Sequence, residues 1–149
     1  MIWWDDLEVG TKARFGHYPV TREEVLAFAR SYDPQPFHLS DEAAARTYFG
    51  RIAASGWHTC AMTMRMMVDR MEKDGSASLG SPGIDDLRWL KPVYPGDILR
   101  VETEVLDKTP SRSKPDIGSF RSAVTVFNQN DEAVLRFVSI VLMRRRADA

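Results

Sequence analysis

Residues 57–73 restrict the possible folds more than any other segment, because they are apolar on almost every side of a helix. One stripe at helical spacing consists of Trp57, Ala61, Met64, Val68 and Met71. Other apolar side chains of the same segment lie outside that stripe, namely Cys60, Met62, Met66 and Met67. A helix that is apolar all round is normally buried in protein. The sequence therefore predicts a long helix surrounded by other elements and ended by Gly75.

Two shorter helices are predicted before this one. Thr21 and Glu24 have the spacing of a capping box, and the helix that they begin must end before Pro34. Ser40 precedes two acidic residues, which is typical of a helix start, and the pattern continues to Phe49.

The second half of the chain has the alternating pattern of strands. Strands are predicted at residues 84–93 and 98–106, and a long hairpin joins residues 118–128 to residues 132–143. Residues 11–20 are expected to add an edge strand. Alternation on one side indicates a sheet with one covered face.

These elements predict an α+β fold in which an antiparallel sheet curls around the long helix. The chain has 149 residues, 44% of them hydrophobic and 28% charged, which is typical of one globular domain over residues 1–149. The net charge of -1 argues against nucleic acid as a partner.

The same composition bears on where the protein works. No apolar run reaches the roughly 20 residues that cross a bilayer, so we expect no membrane partner. The single cysteine, Cys60, excludes an internal disulfide and is interpreted as a small core residue. The chain opens with acidic residues where a signal peptide would be basic. We therefore expect a cytoplasmic protein.

The stretch "SYDPQPFHLS", residues 31–40, carries the candidate chemistry. Asp33 and His38 can act as an acid and a base near neutral pH, and Pro34 and Pro36 stiffen the backbone between them. Phe37 would help to bury the histidine. From the residues alone, two readings stay open: an acid/base pair, or a turn aspartate beside an ordinary histidine.

A resemblance favours the first reading. "YDPQPFHLSDEAAA" resembles the D-x-N-P-x-H signature of the MaoC-like dehydratases and (R)-specific enoyl-CoA hydratases. "WWDDLEVGT", "GRIAASGWHTCAMTMRMM" and "LRWLKPVYPGDILRVETEV" are similar to further segments of that family, in the same order. The resemblance implies the hot-dog fold, a curved antiparallel sheet around one long helix.

It also implies the roles of individual residues. Asp33 and His38 would together activate a water molecule for addition to a 2-enoyl thioester. Gly56 would donate its backbone N–H to the thioester carbonyl at the start of the long helix. The family's asparagine is replaced by Gln35, and Met64 stands where the family has a serine that assists the site.

Substrate binding is assigned to five residues: Gln35, Phe37, Ser55, Trp57 and Met64. Ser55 can alternatively cap the long helix. Trp57 and Trp89, together with methionines, are expected to line or fill the pocket. Arg88 and Lys91 are candidate partners for the phosphates of coenzyme A, with ordinary surface positions as the alternative.

The resemblance implies a hydro-lyase that interconverts a 2-enoyl-CoA and an (R)-3-hydroxyacyl-CoA and works as a homodimer, with a higher oligomer as the alternative. Two alternatives remain, a hot-dog acyl-CoA thioesterase and a non-catalytic acyl-CoA-binding dehydratase subunit. No cofactor is expected, since the substrate carries coenzyme A, and no spacing predicts a metal site. His17 and His58 are interpreted as structural, His58 as a core or interface residue.

Overall fold

The computed structural model describes residues 1–147, and these contain a five-stranded antiparallel sheet. Residues 148 and 149 of the predicted domain lie outside the described part. The strands are β1 (Lys12–Pro19), β2 (Ser78–Trp89), β3 (Ile98–Pro110), β4 (Ile117–Phe127) and β5 (Ala133–Arg144). Their order across the sheet is β1-β3-β4-β5-β2. The predicted hairpin is confirmed as β4 and β5, and the predicted N-terminal edge strand is confirmed as β1.

Three α-helices accompany the sheet: α1 (Arg22–Tyr32), α2 (Asp41–Ala45) and α3 (Gly56–Asp74). At the start of α1, the Glu24 N–H donates to Thr21 Oγ1 at 3.2 Å, as predicted. In a capping box the Glu24 carboxylate would accept from the Thr21 N–H. Here it accepts a 2.6 Å hydrogen bond from the Tyr18 hydroxyl instead. Helix α2 is shorter than predicted. After it, the N–H groups of Arg46 and Thr47 bond the carbonyls three residues earlier, at 3.2 and 3.0 Å, so the chain continues as a tighter turn.

Helix α3 packs against the sheet and supplies part of the main core. Met62 and Met66 lie in one buried cluster with residues from three strands, including Leu99, Val124 and Phe137. This confirms the α+β architecture of a sheet packed on a long central helix. Within residues 1–147, no helix has the length and apolar character needed to cross a membrane.

The buried side of α3 differs from the predicted stripe. The buried residues of the helix are His58, Thr59, Met62, Thr63 and Met66. Trp57 and Met64 are 62% and 53% exposed, so the prediction that protein surrounds α3 on every side is wrong for a single chain. Two polar members of the buried face make local contacts, although the buried His58 Nδ1 has no hydrogen-bond partner among residues 1–147. The Thr63 hydroxyl donates to the Thr59 carbonyl at 2.8 Å, and the His58 ring stacks on Phe28.

Strand β2 begins earlier and ends earlier than residues 84–93. It starts at Ser78 and ends at Trp89. After a bond from the Leu90 N–H to the Val134 carbonyl at 2.9 Å, the chain turns toward the segment before α3. There the Val93 carbonyl accepts from the Ala54 N–H at 2.8 Å. Pro92 has no N–H to offer a neighbouring strand. The turn places residues 90–93 beside the start of α3, where they help to form the cavity described below.

We predict that replacing Leu99 with alanine lowers the free energy of unfolding by about 3 kcal/mol, because it leaves a cavity in the core. Leu99 is fully buried on β3, whereas Leu106 on the same strand is 38% exposed. The matched variant Leu106→Ala should cost less than about 1 kcal/mol. Urea denaturation of both variants measures the difference, and equal losses would contradict the assigned core.

Candidate active site

Asp33 lies where α1 ends and the chain bends. Its N–H still bonds the Ala29 carbonyl of the last helical turn at 2.9 Å, but the following Pro34 cannot continue the helix. The bend leads into a single 3₁₀ turn, Pro36–His38, in which the His38 N–H bonds the Gln35 carbonyl at 2.9 Å. The two prolines thereby hold Asp33 and His38 close together in space.

The His38 imidazole is buried and has a defined orientation. Its Nδ1 lies 2.7 Å from the Ala53 carbonyl oxygen. Because a carbonyl can only accept, Nδ1 carries the proton. Phe37 packs edge-on against the ring with centroids 4.6 Å apart. The remaining nitrogen, Nε2, lies 3.3 Å from Asp33 Oδ2.

The Asp33 carboxyl group is favoured in its ionised form. Partial burial acts to raise its pKa, but the hydrogen bond from Gln35, the nearby Ser55 hydroxyl and the charge of His38 outweigh burial, so the pKa lies below the ordinary value of 3.8. The Gln35 amide donates to Asp33 Oδ1 at 2.6 Å. The carboxylate therefore has one oxygen held by an amide and the other directed at His38.

The start of α3 forms a further part of the site. The first N–H groups of a helix have no acceptor within it, and among residues 1–147 the Gly56 N–H finds no acceptor. Ser55 precedes the helix but makes no side-chain cap bond, so its predicted alternative role as a cap is wrong. Its hydroxyl is buried and has no hydrogen bond of normal geometry among the described residues, although it lies close enough to Asp33 to lower that pKa.

These groups share one cavity of about 310 Å³. Five of the residues predicted for the site line it: Asp33, His38, Ser55, Gly56 and Trp57. Gln35 and Phe37 lie behind the wall and contact Asp33 and His38, respectively. Met64 lies on the exposed side of α3 and does not line the cavity of a single chain. Its assignment to substrate binding stays a prediction.

The rest of the wall combines expected and unexpected residues. Trp89 lines the cavity, as expected, but no methionine does. Lys91 also lines the cavity, and it pairs with Glu132. Arg88 does not line the cavity and donates to the Leu87 carbonyl. Seven other residues of the wall were not predicted from the sequence: Tyr48, Phe49, Ala54, Thr59, Leu90, Pro92 and Val93. Pro92 was the available signal, since a proline at a predicted strand end indicates that the chain leaves the sheet.

The remaining histidines and the cysteine lie outside this arrangement. His17 is exposed on β1. His58 is buried against Phe28, and burial lowers its pKa, which agrees with its interpretation as a core residue. Burial raises the pKa of the Cys60 thiol, which disfavours a nucleophilic thiolate. Within residues 1–147, no three His, Cys, Asp or Glu side chains are grouped to hold a metal ion.

Comparisons with known proteins agree with this geometry. A family model described as the MaoC like domain matches residues 6–128. A MaoC-like dehydratase from Rhodospirillum rubrum has a TM-score of 0.88 and 39% identity, over 99% of this chain and 100% of that chain. The 3-hydroxybutyryl-CoA dehydratase of Methylorubrum extorquens is 28% identical over 100% of this chain and 88% of its own length. The (R)-specific enoyl-CoA hydratase of Aeromonas caviae is 35% identical over 66% of this chain and 71% of its own length.

We predict that Gln35→Ala raises the pKa of Asp33, because it removes the amide that stabilises the carboxylate. In the unaltered protein the carboxyl group should titrate below 3.8. Ionised Asp33 therefore stabilises the fold above its ordinary pKa, and this contribution is lost as the pH falls through the lower, folded value. Carbon-13 NMR titration of the Asp33 carboxyl measures the shift.

The matched control is Gln129→Ala, which removes a similar amide bond of 3.0 Å to Asp97, a residue that does not line the cavity. It should leave the Asp33 titration unchanged. An Asp33 pKa that is identical in all three proteins would show that Gln35 does not stabilise the carboxylate.

Proposed function

The chain belongs to the MaoC-like dehydratase family, and we propose that it catalyses the reversible hydration of a 2-enoyl-CoA to an (R)-3-hydroxyacyl-CoA. The family includes hydro-lyases that act on acyl-CoA thioesters. The observation that carries the proposal is one cavity that Asp33, His38 and Gly56 line together. Acid/base groups and a carbonyl-binding donor are the two requirements of this reaction.

The geometry between Asp33 and His38 suits a bound water molecule. In the neutral form of the His38 ring, which carries its proton on Nδ1, Nε2 offers a lone pair, and it faces a carboxylate oxygen 3.3 Å away. Two acceptors facing each other are satisfied when a water molecule donates one O–H to each. The same two atoms would then accept the proton that leaves the water as its oxygen attacks.

The start of α3 suits the oxygen of the thioester. Addition of water at Cβ moves electron density through Cα onto that oxygen, which becomes negative. The free N–H of Gly56 and the positive end of the helix dipole would stabilise this charge. Ser55 favours this use, because its side chain does not bond the N–H groups of the first turn.

The proposed reaction balances without a further reactant. The water oxygen forms a bond to Cβ, and its proton passes to the Asp33–His38 pair. The π electrons of the C=C bond form a double bond between Cα and the carbonyl carbon, and the π electrons of the C=O bond move onto the thioester oxygen, which gives an enolate. A proton then returns from the pair to Cα and restores the thioester. Dehydration is the same sequence in reverse.

The two alternatives receive less support. A hot-dog thioesterase would use a carboxylate on or beside the central helix, but the first acid of α3 is Asp69, which is exposed and pairs with Arg65. A non-catalytic subunit would have no need for the buried pairing of Asp33 with His38. The hydro-lyase is therefore preferred.

A homodimer remains part of the proposal. Trp57 and Met64 are exposed on α3, and Ile84 and Trp89 are exposed on β2, which is an edge strand of the sheet. Apolar side chains and an open strand edge are features that a second copy would cover. A partner covering α3 would also bring protein against Met64.

We predict that the purified protein hydrates crotonyl-CoA, with loss of the enoyl-thioester absorbance. Asp33→Asn and His38→Gln should each lower kcat by roughly 10²- to 10⁴-fold, the usual contribution of general acid–base catalysis. The matched controls are Asp69→Asn and His17→Gln, which change an exposed aspartate and an exposed histidine remote from the cavity. Both should keep the unaltered rate.

A panel of straight, branched and dicarboxylic enoyl-CoA substrates extends the test beyond one acyl group. A thiol reagent in the same assays detects free coenzyme A. Thiol release without hydration would support the thioesterase. Absence of both reactions over the whole panel would support the non-catalytic subunit.

A further inference from the structure

We propose that Trp89 is a positioning residue that fixes the first turn of α3, so that the Gly56 N–H stays directed at the thioester oxygen. The inference rests on the proposed function and adds a residue that its acid/base chemistry does not require. Trp89 is the last residue of β2 and lies 33 positions from Gly56 in the chain. Its contact with Gly56 therefore joins the sheet to the helix start.

A hydrogen bond joins the two residues. Trp89 Nε1 donates to the Gly56 carbonyl oxygen at 2.8 Å. In an ordinary helix this carbonyl bonds only the N–H four residues later, and the first turn frays easily. A side-chain donor from the sheet gives the carbonyl of Gly56 a second partner outside the helix.

The indole of Trp89 also packs closely on Gly56. A Cβ atom at position 56 would lie 2.5 Å from Trp89 Cε2 and 2.6 Å from Nε1. No side chain fits there unless the indole moves. The Trp57 ring also packs against the indole, nearly perpendicular to it, with the two ring centroids 5.2 Å apart. Glycine at position 56 is thus explained by this contact.

The indole bond is one of several hydrogen bonds that hold the chain from Ala53 to the start of α3. The Ala53 carbonyl accepts from His38 Nδ1 at 2.7 Å, and the Ala54 N–H donates to the Val93 carbonyl at 2.8 Å. The Ser55 carbonyl then accepts from the Thr59 N–H at 3.1 Å, and the Gly56 carbonyl accepts from Trp89. The segment is therefore held from the acid/base pair to the helix start.

The expected consequence is catalytic as well as structural. A donor that stabilises developing charge is effective when it is already oriented before the reaction. A first turn that moves would lose part of that stabilisation in the transition state, while ground-state binding of the thioester would change less. Loss of the indole bond should therefore lower kcat more than it raises KM.

The test is Trp89→Phe, which keeps an aromatic ring and removes the N–H donor. We expect kcat to fall about 3- to 10-fold with KM nearly unchanged, as for the loss of one neutral hydrogen bond. Nitrogen-15 relaxation of the free protein gives a second readout that needs no substrate. The order parameters of the Gly56 and Trp57 amides should fall from about 0.85 toward about 0.6.

The chain supplies a matched control in Trp4→Phe. Trp4 Nε1 donates to the Ser119 carbonyl at 2.9 Å, and a Cβ at Gly118 would lie 2.5 Å from Trp4 Cε2. This is the same indole-on-glycine packing, and Trp4 lies in a separate buried cluster away from the cavity. Trp4→Phe should lower thermal stability but leave kcat and the Gly56 order parameter unchanged.

The outcomes separate this inference from the proposed function. If Trp89→Phe loses stability as Trp4→Phe does but keeps both kcat and the Gly56 order parameter, Trp89 has a structural role alone and the inference is overturned. If the unaltered protein turns over no enoyl thioester, the proposed function fails. In that case, unchanged relaxation at Gly56 in Trp89→Phe overturns the positioning role as well, and increased motion there supports it.

Discussion

The hydrogen bond from His38 Nδ1 to the Ala53 carbonyl is the interaction on which the site depends. It joins the turn after α1 to the segment that enters α3, at a distance of 2.7 Å. It also fixes the position of the ring proton, so that Nε2 faces Asp33. One bond thereby sets both which ring nitrogen faces Asp33 and where the ring lies relative to the helix start.

Side chains outside the cavity determine the state of the groups within it. Gln35 does not line the cavity, yet its amide holds Asp33 Oδ1 and favours the carboxylate. The departure from the family's asparagine is therefore compatible with a working site, because the longer side chain still reaches the aspartate. Phe37 has a comparable role on the other side, where it packs against the His38 ring and against Phe49.

The sequence could predict those parts of the fold that local patterns determine. The start of α1 at Thr21 and the β4–β5 hairpin are examples, because caps and alternation are properties of neighbouring residues. The pairing of Asp33 with His38 was predictable from the proline-framed stretch and its family resemblance, and so was the shared cavity with Gly56. Their catalytic roles stay predictions.

Other features depend on contacts that local patterns do not contain. The stripe of α3 was assigned from apolarity, but Thr59 and Thr63 are buried on this helix, and the Thr63 hydroxyl bonds the carbonyl one turn earlier. Ser55 is a residue type that often caps helices and stands at the N-cap position, yet its side chain makes no cap bond. The Trp89–Gly56 bond joins residues 33 positions apart, so only the three-dimensional structure reveals it.

The stereochemistry of hydration in D₂O tests the central claim most directly. Asp33 Oδ2 and His38 Nε2 are 3.3 Å apart on one side of the cavity, so the hydroxyl and the deuteron should reach the same face of the enoyl thioester. Proton NMR coupling between Cα and Cβ of the product identifies the relative configuration. The account predicts syn addition, and anti addition would contradict it.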